Sequence, residues 1–274
     1  MARKSYQKYL VQRGLPRTGF LSDPQLPTGM AFIEVDRKGE NRILVFPGAN
    51  TSLLPGDLRR HPRIWQGIKV FVTQLETPLS TVGAGLQMAK KRNALTLLNP
   101  SPAQVLPADL LSRVDYLVPN EGEAESLSGV KMKSERDLPR MADRLLARGV
   151  QNVVITLGPK GLYFKNRKEE IRMTAFQVKV LDTTAAGDAF MGALASGLAE
   201  NQPLPEILRW ANGAGALACT KLGAQPSLPQ KSELIRFLRK QSASRGKPVS
   251  GSAFRVGGGK KLRYRGKSET GRCF

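Results

Sequence analysis

Along this chain, short continuous apolar runs alternate with longer stretches in which apolar positions return every three or four residues. The first strand-like pattern is Thr28-Gly29-Met30-Ala31-Phe32-Ile33-Glu34-Val35-Asp36. A polar turn at Arg37-Lys38-Gly39-Glu40 leads to Asn41-Arg42-Ile43-Leu44-Val45-Phe46, so the pair predicts a β-hairpin, ended by Pro47-Gly48-Ala49-Asn50. The runs Lys69–Leu75, Ala94–Leu98, Val114–Val118 and Asn152–Leu157 read as strands buried on both faces. Helical patterns fall between them, from about Thr77 to Arg92, after Pro119-Asn120 with acids Glu121, Glu123 and Glu125 in the first turn, and over 136–148. A second hairpin is expected at about 161–180, a helix at Ala189–Ala199, and an Ala/Gly-rich buried helix from Leu204 to Lys221.

Strands of this kind alternating with helices predict an α/β fold: a doubly wound, mostly parallel sheet covered on both faces, with the 28–46 hairpin as a small addition. Ligands of such sheets bind beyond the carboxyl ends of the strands. Glu76, Asn99, Asn120 and Gly158 each follow a predicted strand, and Asp188 follows the last one.

Composition adds limits. In 274 residues with 41% hydrophobic content, no apolar stretch approaches the roughly 18 residues of a membrane span. The start, Met1-Ala2-Arg3-Lys4-Ser5-Tyr6-Gln7-Lys8, is basic but lacks the apolar core of a secretory signal. Two cysteines, Cys219 and Cys273, argue against a disulfide framework, and a reducing, cytoplasmic setting is expected. The net charge is +21, of which residues 1–18 contribute +5 and residues 241–274 contribute +8. Three segments are therefore expected: a basic, irregular 1–18, one folded domain over 19–240, and a basic tail over 241–274 whose Gly/Ser-rich composition reads as disordered. Tyr and Trp are too sparse for a base-stacking surface, so nucleic acid is not an expected partner.

The candidate chemistry centres on Leu181-Asp182-Thr183-Thr184-Ala185-Ala186-Gly187-Asp188-Ala189-Phe190. Ala185, Ala186 and Gly187 carry almost no side chain, so backbone N–H groups can approach an anion, aided by the helix dipole that follows. Asp188 is then placed to take a proton from an attacking hydroxyl. An isolated Asp before a helix is more often an N-cap, but the small residues and the second carboxylate at Asp182 favour chemistry here.

Asp182-Thr183-Thr184-Ala185-Ala186-Gly187-Asp188 resembles the C-terminal signature of the ribokinase-like (PfkB) carbohydrate kinases, and Lys221-Leu222-Gly223-Ala224-Gln225-Pro226-Ser227 resembles a downstream element of the same family. The resemblance covers roughly residues 10–240. It implies ATP-dependent phosphorylation of a sugar, D-ribose at O5, with Asp188 as general base and Gly187, with the backbone of Ala185 and Ala186, as anion hole. Asn120 and Glu123 resemble the family's N-x-x-E element, near the nucleotide phosphates and a Mg²⁺ met through water. Thr156-Leu157-Gly158-Pro159-Lys160-Gly161 resembles its nucleotide loop, and Asn212 a position lining the adenine pocket. Asp182, Thr184, carbonyls near Ala218, Lys221 and Gly223, and the Ser227 hydroxyl resemble its monovalent-cation (K⁺) site. Glu76 resembles the residue that hydrogen-bonds a ribose hydroxyl, and family members pair through lid strands, so the 28–46 hairpin is expected to be a lid remnant able to form a homodimer.

The family's N-terminal Asp and its Gly-Gly-Lys-Gly-Ala-Asn-type loop do not occur here, so the chain is expected to begin inside the family domain. Read without the resemblance, Asn120 and Glu123 fit a helix cap as well as a phosphate site, and Glu76 fits a solvated helix start. A degenerate nucleotide-binding paralogue, or a kinase for another sugar or nucleoside, is the alternative.

Overall fold

The computed structural model of the protein describes residues 2–15, 19–35, 41–244 and 255–256. The turn at Arg37–Glu40 and most of the 241–274 segment, Cys273 included, lie outside the described residues. In chain order the elements are α1 (Ala2–Gln12), β1 (Met30–Val35), β2 (Asn41–Phe46), α2 (Pro55–Arg60), β3 (Val70–Thr73), α3 (Leu79–Lys90), β4 (Leu95–Leu98), α4 (Ala108–Leu111), β5 (Tyr116–Leu117), α5 (Glu121–Ser128), α6 (Leu138–Ala147), β6 (Asn152–Thr156), β7 (Leu162–Asn166), β8 (Glu169–Met173), α7 (Ala186–Ala199), α8 (Leu204–Ala218), α9 (Ala224–Ser227), α10 (Lys231–Ser244) and β9 (Arg255–Val256).

The main sheet has the order β3-β4-β5-β6-β7-β8-β9. Its first four strands are parallel and the rest antiparallel. The strands bury alternate side chains on opposite faces, as their two-residue period requires. Leu98, Leu117, Val153 and Ile155 join one core with α3, α5 and α6. Leu97, Val118 and Val154 join the other with α7 and α8. Helix α6 shows how the first face is built: Leu138, Met141, Ala142 and Leu145 recur at i, i+3, i+4 and i+7, and all four are fully buried. A fully buried Leu or Met contributes roughly 1.5–3 kcal/mol, so this stripe is a main reason the helix docks. Helix α3 sits closely against β3 because Gly85 has no side chain; a Cβ there would lie 2.5 Å from the Phe71 ring. The expectation of an α/β sheet covered on both faces holds, and among the described residues no helix is long and apolar enough to cross a membrane.

Several local expectations are corrected. Residues 2–12 form α1 rather than an irregular segment. Helix α10 runs through position 241, so the expected boundary falls inside a helix, and Arg255–Val256 pairs with β8. The strand expected over Val114–Val118 is found only at Tyr116–Leu117, and the Val114 N–H belongs instead to the preceding turn, donating to the Leu111 carbonyl. The second hairpin closes by Met173, leaving residues 174–185 without regular structure before α7. Asp188 therefore does not follow a strand directly.

The β1–β2 hairpin is a separate two-stranded sheet. Its base is closed at Gly48, whose φ of 51° and close approach to the Pro27 carbonyl exclude a side chain, and the segment that follows is tied to α3 by Thr81 Oγ1, which donates to the Leu53 carbonyl at 2.6 Å.

Candidate active site

The parallel strands put their carboxyl ends along one edge, and the expected nucleotide groups lie there. Asn120 is bridged to Thr156 across the ends of β5 and β6. Its Oδ1 accepts the Glu123 N–H at 2.8 Å while Glu123 Oε2 accepts the Asn120 N–H at 2.9 Å. This reciprocal pair is a capping box, so the capping reading of these residues is correct as far as it goes. Glu123 is buried, and its second oxygen has no hydrogen-bond partner among the described residues.

The loop after β6 is a tight turn in which the Leu157 N–H donates to the Gly161 carbonyl at 2.8 Å. Gly158 and Gly161 both have positive φ, 51° and 102°. A Cβ at Gly161 would collide with the Met173 carbonyl at 2.0 Å, so only glycine lets this turn lie against residues 173–175. Gly158 and Pro159 are exposed at its tip. Lys160 reaches across to Glu121 at 3.8 Å, bordering a cavity of about 320 Å³ that Lys133 and Ser134 also line.

From that turn a chain of contacts leads to Asp188. Asn212, buried on α8, donates through Nδ2 to the Thr174 carbonyl at 2.8 Å. One turn further along α8, Gly215 lies against the Ala186 carbonyl, 3.3 Å from where its Cβ would stand. The Cys219 carbonyl, just past α8, accepts the Leu181 N–H at 2.8 Å. Asp182 then closes the link: its Oδ1 accepts the Thr184 N–H and its Oδ2 accepts the Gly223 N–H, both at 2.8 Å. Hydrogen bonds from the Thr184 hydroxyl and N–H and from the Gly223 N–H hold the Asp182 carboxyl below the usual carboxylate range. Burial, with Asp182 nearby, pushes the Cys219 thiol up.

Helix α7 begins at Ala186, three residues earlier than the sequence predicts, and Asp188 sits inside its first turn rather than capping it. Ala185 precedes the helix with φ 60° and caps nothing through its side chain. The Ala186 N–H donates to the Thr183 carbonyl at 3.2 Å. Of the four amides from Ala185 to Asp188, those of Ala185, Gly187 and Asp188 have no acceptor among the described residues. A Cβ at Gly187 would meet nothing within 4 Å, so packing does not demand glycine there. Asp188 is exposed, and its carboxylate makes no hydrogen bond or ion pair among the described residues. Free helix amides beside a free carboxylate can bind an anion and accept a proton at one spot.

The oxygen groups expected around a monovalent cation come together in part. The bonds of Asp182 bring residues 182–184 against Gly223, and Ala218 and Lys221 share the intervening turn, where the Lys221 N–H donates to the Ala218 carbonyl at 3.1 Å. The Ser227 hydroxyl is fully buried and donates to the Ala224 carbonyl at 2.7 Å, leaving it able to accept or coordinate. One carboxylate among neutral oxygens suits a singly charged cation. Among the described residues no cluster of three or more His, Cys, Asp or Glu side chains could hold a metal.

Glu76 stands apart: it is exposed and makes no hydrogen bond or ion pair among the described residues. Its loop is held by the Leu75 N–H, which donates to the Ser101 carbonyl at 2.9 Å. Sequence reading did not single out Thr174, Gly215 or Cys219; two act through carbonyls and one through a missing side chain, so no side-chain chemistry marks them.

A parallel α/β sheet with a glycine turn at its strand ends, and free helix amides beside an unpartnered carboxylate, can bind a small anionic ligand and accept a proton next to it. Comparison with known proteins makes the chemistry specific. Residues 2–231 match the model of the pfkB family of carbohydrate kinases, and the chain belongs to that family. It is 38% identical over 235 residues to a ribokinase of Haemophilus influenzae, covering 86% of this chain and 77% of that protein. It is similar in structure to the ribokinase of Thermotoga maritima, with a TM-score of 0.75 and 36% identity over 85% of this chain and 77% of that one. A ribokinase of Arabidopsis thaliana, solved in complex with ribose and ATP, matches with a TM-score of 0.70 and 26% identity over 78% of this chain and 70% of that one.

Proposed function

We propose that the protein transfers the γ-phosphoryl group of ATP to O5 of D-ribose, giving D-ribose 5-phosphate and ADP. The observation that carries this reading is the first turn of α7, where the free Gly187 and Asp188 amides adjoin the unpartnered Asp188 carboxylate. The similarity to ribokinases over most of the chain supplies the substrates.

In the reaction Asp188 accepts the proton of the O5 hydroxyl, O5 bonds to the γ-phosphorus, and the bond to the bridging oxygen breaks to release ADP. The Gly187 amide, with the backbone of Ala185 and Ala186 and the Asp188 amide at the positive end of α7, stabilises the charge on the transferring group. Thr156–Gly161 and Asn120 hold the phosphates, Asn212 borders the adenine, and Glu76 hydrogen-bonds the sugar. Mg²⁺ neutralises phosphate charge when bound; Glu123, with one oxygen free of the cap, would meet it through water. K⁺ would be held by Asp182, the Thr184 and Ser227 side chains and carbonyls of the 218–223 turn, and it would order the Asp182–Thr184 turn.

The hairpin supplies the assembly reading. Its register pairs Met30 with Phe46 and Phe32 with Leu44 on one face, and all four are 47–70% exposed. An isolated two-stranded hairpin with such a face is marginal in water, so it pairs with the same hairpin of a second copy. Cys219, a free thiol, fits a cytoplasmic setting.

The reading is tested by the product. Phosphorus NMR of a reaction with MgATP, K⁺ and D-ribose should show a phosphomonoester on C5; phosphate on another carbon, or only inorganic phosphate, would contradict it.

A further inference from the structure

At the end of β4 a side chain does the work of the backbone. In a parallel ladder a residue donates to one residue of the neighbouring strand and accepts from the residue two further on. The Val118 N–H donates to the Leu98 carbonyl at 2.8 Å, as the register requires. The matching donor would be the N–H of residue 100, but residue 100 is Pro and has none. The Val118 carbonyl instead accepts from Asn99 Nδ2 at 2.8 Å. Val118 is only 2% exposed, so without that bond its carbonyl has little access to water.

The Asn99 N–H meanwhile donates to the Thr73 carbonyl at 3.0 Å, at the end of β3. One residue thus ties the strand that leads to Glu76 to the strand that leads to Asn120. Pro100 stops β4 and turns the chain so that the Ser101 carbonyl takes the Leu75 N–H. Beyond Val118, the Pro119 carbonyl takes the Thr156 N–H at 2.9 Å, and Asn120 opens α5.

We propose that Asn99 is a positioning residue: its amide supplies the ladder hydrogen bond that Pro100 cannot, and this sets the Asn120 turn for the nucleotide. The inference rests on the phosphotransfer reading of the site, and Asn99 itself need touch no substrate.

The test is a rescue on the full chain. Asn99→Asp keeps the shape but cannot donate, Asn99→Ala removes the group, and Asn99→Ala with Pro100→Ala returns an N–H at residue 100. Loss of one such bond should weaken ATP affinity, read by calorimetry, about three- to ten-fold in Asn99→Asp and Asn99→Ala. Amide exchange over 118–123 should quicken with it. The double variant should regain most of both, while the ribose KM moves less because the bond to Thr73 is backbone. Unchanged affinity and exchange in the single variants, or a double variant no better than Asn99→Ala, overturns the proposal. A generally loosened fold would quicken exchange throughout and would not be rescued at residue 100. If wild type binds ATP but leaves ribose untouched, the kinase reading fails while the rescue still judges Asn99; if no ATP binds, the exchange pattern judges it alone.

Discussion

At Gly187 and Asp188 binding and chemistry separate cleanly from stability. Gly187 has open space where a Cβ would go and lies inside α7. Gly187→Ala should therefore fold at least as well as wild type, gaining up to about 1 kcal/mol from helix propensity. The added methyl stands where the phosphoryl group must approach, so kcat should fall by about ten-fold or more, the loss expected when one anion-hole group is obstructed. A melting curve and steady-state rates on one preparation check both halves. Asp182 carries a pH signature. Its folded carboxyl sits below the ordinary value, so its contribution to stability is fully present above the unfolded pKa of about 3.9 and is lost as pH falls through the lower folded value. Asp182→Asn should flatten the stability profile between about pH 5 and 3, modestly because the group is little buried, and should weaken any activation by K⁺. Thermal melts across that range, with and without KCl, read both effects.

Among the elements, the amino ends of β4, β5 and β6 hold a polar network away from the proposed chemistry. Asp115 Oδ1 accepts from Lys90 Nζ at 2.7 Å, and its Oδ2 accepts the Thr96 N–H and hydroxyl at 2.9 and 3.0 Å. Its carbonyl accepts from Asn152 Nδ2 at 2.9 Å. Asp115→Ala keeps the carbonyl that Asn152 bonds but strands Lys90 Nζ and the Thr96 N–H and hydroxyl, and should cost about 2–3 kcal/mol in denaturant unfolding, with KM values unchanged. Lys90→Ala should cost less, because its side chain is 42% exposed. This scale also shows what the sequence made legible. Long apolar runs such as Asn152–Thr156 and the period of α6 announce their elements, because burial sets both pattern and structure. The start of α7 was not legible: it depends on Ala185 taking a left-handed conformation, which no residue type there demands. The truncation of β5 and the bonds of Asn212 to the Thr174 carbonyl and of Asp182 to the Gly223 N–H were hidden likewise, since backbone groups carry no sequence mark.

For the molecule as a whole, the C-terminal half of the proposed site was readable from the Asp182–Asp188 motif, and the structure joins it to the glycine turn through Thr174, Asn212 and Gly215. Glu76, exposed at the end of β3, makes none of these contacts. The apolar hairpin face predicts assembly: Phe32→Glu with Leu44→Glu should turn a dimer into a monomer by light scattering, while the main domain keeps its unfolding transition. A monomer in wild type at micromolar concentration would remove that claim. The central claim is phosphotransfer to ribose through Asp188, and ADP release from the purified chain with MgATP and K⁺ tests it most directly, with and without D-ribose and beside Asp188→Asn. The account predicts ribose-dependent ADP that falls by about 10²–10⁴-fold in the variant, the span expected for loss of a general base. Ribose-independent ADP, or a rate that Asp188→Asn leaves intact, would contradict it.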